Sequence, residues 1–125
     1  MKFLVVDDSI TMRRIIINAL QRIGYQDAIE ASDGKDALDK FDGSIGFVIT
    51  DWNMPNMSGV EFARAVRAMP IGATVPILMV TTRGAREDIV SAVEAGVNNY
   101  ILKPFTPSVL KEKIDRLLAS MSAAA

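Results

Sequence analysis

Four short runs of strand-forming residues constrain this chain more than any other feature: Phe3–Val6, Phe47–Thr50, Ile77–Val80 and Tyr100–Leu102. Each is too short for a typical helix and ends at a polar residue. None alternates apolar with polar side chains. A strand with one face in water does alternate, so these four are expected to be covered on both faces. Ala28–Ala31 is a weaker fifth run.

The segments between them carry helical spacing. Ser9 is placed to cap a helix whose Ile16, Ile17, Leu20 and Ile23 share a face, and Gly24 stops it. Ser32-Asp33-Gly34 reads as a turn, followed by a short helix with Ala37, Leu38 and Phe41 on its core side. Asp42-Gly43-Ser44 turns the chain into the third strand. After the loop Pro55–Gly59, a helix bears Phe62, Val66 and Met69 until Pro70 breaks it. Gly84 precedes a helix with Ile89, Val90 and Val93 on one side, closed by Gly96. Pro107 suits the first turn of the last helix, which presents Leu110, Ile114, Leu117 and Leu118 inward and Lys111, Lys113 and Arg116 outward. Met121–Ala125 has no patterned face and reads as a frayed tail.

Five strands alternating with five helices, the strands buried on both faces, give an α/β fold: a doubly wound parallel sheet in three layers. With 125 residues and no repeat or linker, a single domain over 1–125 is expected, without an output domain. The apolar start, Met1–Val6, is too short for a signal peptide or a membrane span, which makes the cytoplasm the default location.

Composition then narrows the chemistry. The chain has no cysteine and no histidine. Thiolate and imidazole metal sites, Ser-His catalysis and phosphohistidine on this chain are excluded. Any metal must be held by oxygen, and any nucleophile must be Asp, Glu, Ser, Thr, Tyr or Lys. A net charge of −1 and the lack of a basic helix give no reason to expect nucleic acid as a partner.

The polar residues that end the strands are Asp7 and Asp8, Asp51, Thr81 and Lys103. In a parallel sheet all of them lie at the carboxyl edge, where such folds place their ligands. If strands one and three are neighbours, Asp7, Asp8 and Asp51 converge. Three close carboxylates repel unless a cation joins them. Mg²⁺ suits one or two carboxylates plus water and phosphate. An aspartate beside it can attack phosphorus, with Lys103, the Thr81 hydroxyl and main-chain N–H groups after Asp51 neutralising the equatorial oxygens. One such residue alone is ordinarily a cap, a turn or a solvated side chain. Four strands delivering matched groups to one edge carry more weight than any one of them.

Those residues, with Phe3–Asp8, Thr11–Arg14, Asp51–Met57, Met79–Thr81 and Tyr100–Phe105, identify a resemblance covering nearly the whole chain. The sequence resembles the receiver domains of two-component response regulators, most closely the stand-alone chemotaxis type. The resemblance implies the flavodoxin-like strand order 2-1-3-4-5. Asp51 would be the phosphoacceptor, served by a chemotaxis-type histidine kinase. Mg²⁺ would be held by Asp8 directly, by Asp7 partly through water, by Asp51, and by the main-chain carbonyl of Asn53. Lys103 and Thr81 would contact the phosphoryl oxygens, and the Lys103–Pro104 peptide would be cis. Thr81 and Tyr100 would form the switch, Tyr100 turning inward as Thr81 moves toward the phosphate. The fourth helix, fifth strand and fifth helix would carry the output surface, with Arg83, Arg86, Val97, Asn98, Tyr100 and Lys113 as candidates. The implied partners are the kinase, a flagellar motor switch protein and a dedicated phosphatase. No nucleic acid or membrane is expected, and the chain would be a monomer.

Small departures surround the site. Ser9 and Ile10 follow the acid pair where a bulky aromatic and then Ser are more usual. Thr82 and Arg83 stand where smaller or acidic residues are common. With Asn53 they are expected to line the entrance to the phosphate and to bear on the lifetime of the phosphorylated state. Three rivals are disfavoured by residues. Aspartyl-phosphate phosphatases usually place the nucleophile after the first strand with a second Asp two residues on, whereas position 53 is Asn. Neither a P-loop nor a Gly-x-Gly-x-x-Gly pattern follows strand one, which disfavours a nucleotide-binding module. The complete acid, threonine and lysine set argues against a receiver that never takes phosphate.

Overall fold

The computed structural model describes residues 1–124, with side chains through Ser120. Five strands form one parallel sheet: β1 (Lys2–Val6), β2 (Ala28–Ala31), β3 (Ile45–Thr50), β4 (Ile77–Thr81) and β5 (Asn99–Leu102), in the order β2-β1-β3-β4-β5. The helices are α1 (Ile10–Arg22), α2 (Gly34–Lys40), α3 (Gly59–Ala68), α4 (Arg86–Glu94) and α5 (Pro107–Ala124). A short 3₁₀ turn, Pro70–Gly72, follows α3.

The sheet separates two cores, which is why its strands lack alternation. On one face Phe3, Val5, Phe47, Ile49, Leu78 and Val80 pack with Ile16 and Leu20 of α1 and Leu110 and Ile114 of α5. On the other, Leu4, Val6, Val48, Ile77 and Met79 pack with Phe62 and Val66 of α3 and Ala92 of α4. Burying such side chains on both faces is the main drive for the three-layer arrangement. Val6 pairs with Thr50, so β1 and β3 end side by side and release Asp7 and Asp51 at the same edge.

Local signals fix the helix ends. The Ser9 hydroxyl accepts from the Met12 N–H at 3.2 Å. Ser58 and Glu61 form a reciprocal capping box that starts α3 beside the site. Gly24 and Gly96, both at φ +104, close α1 and α4 in a conformation that glycine adopts without strain.

Several expectations need correction. Ser32-Asp33-Gly34 is more than a turn: Asp33 caps α2, accepting from the Asp36 N–H at 2.7 Å. Ile89, Val90 and Val93 do not face the core; they are 36%, 46% and 59% exposed. α4 lies on the sheet through Ala92 and Ala95 instead, so its largest apolar side chains point outward. Val97, a candidate for the output surface, is a core residue at 4% exposure. Asn98 is exposed, but its side-chain oxygen accepts from the Ile77 N–H and from Arg67, both at 2.8 Å. α5 continues to Ala124, past the apolar pattern, in a stretch whose alanines favour helix. Of the expected frayed tail, Ala125 and the side chains of residues 121–124 lie outside the described residues.

Candidate functional site

Asp51 is the first residue beyond β3. Its N–H donates to the Val6 carbonyl at 2.9 Å, continuing the ladder for one more step. Its own carbonyl accepts from the Thr50 hydroxyl at 2.9 Å, and its Oδ1 accepts from the Trp52 N–H at 2.7 Å. Gly59, the first residue of α3, lies against this turn. A Cβ there would stand 1.9 Å from the Asp51 carbonyl oxygen, so no other residue fits without moving the phosphoacceptor candidate.

Asp7 follows β1 and is 1% exposed. Its Oδ1 accepts from the Ser9 N–H at 2.9 Å, and its carbonyl accepts from Arg13 Nη1 at 2.5 Å. Lys103, just past β5, reaches back along the sheet edge. Its Nζ lies 3.1 Å from Asp7 Oδ2 and 3.1 Å from Asp51 Oδ2, joining residues far apart in sequence. Asp8 is exposed beside them, and one carboxylate oxygen from each of Asp7, Asp8 and Asp51 lies within 4.8 Å of the others. The Lys103–Pro104 peptide is cis.

Charge is unbalanced here. Two carboxylates share the ammonium of Lys103, and a third, that of Asp8, lies beside them. Burial pushes the Asp7 carboxyl above its usual range, although the Ser9 N–H and Lys103 both favour the anion. Burial acts to lower the Lys103 pKa, but the Asp51 and Asp7 carboxylates outweigh it and hold the ammonium above its ordinary value. Closely spaced hard oxygen donors with excess negative charge, one of them strained by burial, fit a divalent cation such as Mg²⁺.

Thr81 ends β4 fully buried, its hydroxyl accepting from the Arg83 N–H at 3.2 Å. Tyr100, in β5, is half-buried against the core on the α3 and α4 face, and its hydroxyl donates to the Arg83 carbonyl. Burial raises the phenol above its usual pKa, with Asp88 adding to the effect. Asn53 is exposed in the loop after Asp51, and its side chain is engaged by Arg83 rather than by the acids.

The sequence reading misses one support of the site. Asn56 sits at φ 67, and its amide donates to Asp33 Oδ2 at 2.7 Å, while the Gly34 N–H donates to the Met57 carbonyl at 3.1 Å. These bonds tie the loop following Asp51 to the start of α2. The dipeptide Pro55-Asn56 carries a turn signal, because Asn tolerates the left-handed region. Its partner Asp33, 23 residues away, carries a turn signal of its own, and nothing in either signal pairs the two.

Comparison with known proteins agrees with this geometry. The family described as the response regulator receiver domain matches residues 3–115. Chemotaxis protein CheY1 of Helicobacter pylori is 52% identical over 122 residues, spanning 96% of this chain and 98% of that protein. The solved structure of chemotaxis protein CheY4 of Vibrio cholerae superposes with a TM-score of 0.85 at 37% identity, covering 93% of this chain and 97% of that one. The receiver domain of sensor histidine kinase PA1611 of Pseudomonas aeruginosa was solved with a magnesium ion coordinated in its active-site cleft. It gives a TM-score of 0.84 at 26% identity over 94% of this chain and 97% of that one. With its acid cluster at the end of β1 and β3, its strand order and these relatives, the chain belongs to the response regulator receiver domains, of the CheY type found in chemotaxis.

Proposed function

We propose that this protein is a phosphorylation-dependent chemotaxis regulator whose Asp51 accepts a phosphoryl group from a histidine kinase. The observation that carries the reading is the Lys103 ammonium, 3.1 Å from a carboxylate oxygen of both Asp7 and Asp51 beside a three-acid cluster. An Asp51 oxygen attacks phosphorus, the phosphorus–nitrogen bond of the phosphohistidine breaks, and the imidazole leaves with the electron pair. Asp8, Asp51, the Asn53 carbonyl and, partly through water, Asp7 would hold Mg²⁺, which would neutralise charge on the transferring group. Lys103, kept charged by its two partners, turns from Asp51 to the incoming phosphoryl oxygens. Slow hydrolysis returns the carboxylate and inorganic phosphate, so the protein signals rather than turns over substrate.

Thr81 then leaves the Arg83 N–H for the phosphoryl group, and Tyr100 settles further into the space it vacates. The readout is a changed surface on α4, β5 and α5, where Arg86, Ile89, Val90, Val93 and Leu102 are exposed. The phosphoryl group shifts this equilibrium only by its differential contacts with the two states. The proposed partner of that surface is a flagellar motor switch protein, with a dedicated phosphatase ending the signal. The chain acts as a cytoplasmic monomer.

Affinity capture from the source cell's lysate tests the reading, run with and without Mg²⁺ plus beryllofluoride, which stands in for the phosphoryl group on Asp51. A motor switch protein retained only with beryllofluoride supports it. Capture of a kinase or phosphotransfer protein without any state-dependent output partner overturns the motor assignment in favour of a phosphate sink or relay.

A further inference from the structure

Arg83 is two residues past Thr81, in a segment that neither the sheet ladder nor α4 holds. Its main chain is nevertheless central to the switch. The N–H donates to Thr81 Oγ1 at 3.2 Å, and the carbonyl accepts from the Tyr100 hydroxyl. Its side chain crosses to the loop after Asp51. Nε and Nη2 both donate to Asn53 Oδ1, at 3.1 and 2.8 Å, and the guanidinium lies 4.6 Å from the centre of the Trp52 ring. Nη1 is 3.5 Å from Asp88 Oδ1, a longer contact toward α4.

We infer that Arg83 is a positioning residue for the switch. Its guanidinium, held by Trp52 and Asn53, fixes the carbonyl that Tyr100 bonds, and so keeps Tyr100 against the core before any phosphoryl group arrives. The inference rests on the reading of Tyr100 as the switch residue, and adds a connection from the loop of Asp51 to Tyr100 that bypasses Thr81. A planar fork that donates twice to one oxygen while stacked on an indole is geometry that lysine does not reproduce. With Thr82, Gly84 and Ala85 exposed on either side, loss of the clasp leaves the Arg83 main chain anchored by its single N–H bond to Thr81 Oγ1 and by the Tyr100 hydroxyl itself. Two charge-assisted bonds and a stacked cation at a half-exposed site correspond to about a three- to tenfold change in the population of bonded Tyr100.

The test needs neither metal nor phosphodonor, so its outcome is separate from whether Asp51 takes phosphate. Tyr25 and Tyr100 are the only tyrosines. In a Tyr25→Phe background, which keeps a ring against Phe3, 3-fluorotyrosine gives a single ¹⁹F resonance, at Tyr100. Arg83→Ala and Asn53→Ala are each expected to move that resonance toward the position of a solvent-exposed tyrosine, with the double variant moving it no further than either single one. Arg83→Lys should fall between wild type and Arg83→Ala. Trp52 emission should change in Arg83→Ala as the stacked cation is lost. A Tyr100 resonance unmoved in Arg83→Ala while Trp52 emission changes would overturn the inference, as would additive effects of Arg83→Ala and Asn53→Ala.

Discussion

Two partly buried cations sit at opposite edges of the sheet and are treated in opposite ways. At the amino edge, Arg67 of α3 donates five hydrogen bonds, to the carbonyls of Gly72, Val75 and Gly96 (the last twice) and to Asn98 Oδ1. All its acceptors are neutral, and burial holds its guanidinium below the usual arginine value. At the carboxyl edge, Lys103 faces two carboxylates with a third beside them. One edge spends a cation on joining α3 to the segments that lead into β4 and β5. The other keeps more negative charge than its cation offsets, which is unfavourable for folding and useful for binding. Hydrogen-bond satisfaction marks the first edge as structural, and charge imbalance marks the second as the site.

The largest expected effect is at the amino edge. Arg67→Ala leaves the Gly72, Val75 and Gly96 carbonyls without this donor and Asn98 Oδ1 with only the Ile77 N–H, and should destabilise the fold by about 3 kcal/mol in urea denaturation. Arg67→Lys should recover only part of this, since an ammonium cannot span the same acceptors. Mg²⁺ affinity, followed by Trp52 fluorescence, should not change in either variant. A parallel loss of affinity would break the separation of the two edges.

At the carboxyl edge, removing a charge should have the reverse sign. Asp7→Asn should stabilise the metal-free protein by on the order of 1 kcal/mol, because a buried, under-compensated carboxylate is replaced by a neutral amide of similar shape. The same variant should weaken Mg²⁺ binding about 10- to 100-fold, as expected for a ligand that acts partly through water. Destabilisation of the metal-free protein by Asp7→Asn would contradict the charge-imbalance account.

A smaller effect sharpens the same contrast. The folded pKa of Asp7 is raised, so its ionisation opposes folding. Its unfavourable contribution is absent below the ordinary aspartate pKa, grows as pH rises, and is complete above the raised folded value. Asp33 is lowered by a hydrogen bond from the Asp36 N–H in the first turn of α2 and Asp36 by one from the Ser32 N–H just before it, so their stabilisation is present above the ordinary range and lost as pH falls through their folded values. The stability gain of Asp7→Asn over wild type should therefore increase with pH through the window above the ordinary aspartate value. A gain that is constant with pH would remove Asp7 titration as its cause.

What the sequence makes legible follows from this physics. Strands covered on both faces cannot alternate, so they stand out as continuous runs, and the residue ending each run marks the carboxyl edge. That is why Asp7, Asp8, Asp51, Thr81 and Lys103 can be placed together before any coordinates. Arg67 is illegible because its partners are carbonyl oxygens, which every residue possesses. α4 misleads because it approaches the sheet through alanines and turns Ile89, Val90 and Val93 outward, against the usual inference from size and hydrophobicity. The Asp33–Asn56 bond and the Arg83 clasp join residues 23 and 30 apart whose own signals are those of ordinary turn and surface side chains.

The central claim is that the unbalanced edge exists to place a phosphoryl group on Asp51. Intact-mass measurement after incubation with Mg²⁺ and a small phosphodonor such as acetyl phosphate tests it most directly, comparing wild type with Asp51→Asn. The account predicts one phosphoryl group on the wild type, removed by hydroxylamine as an acyl phosphate would be, and none on Asp51→Asn. A wild type that takes no phosphoryl group, or an Asp51→Asn variant that takes one equally well, would contradict it.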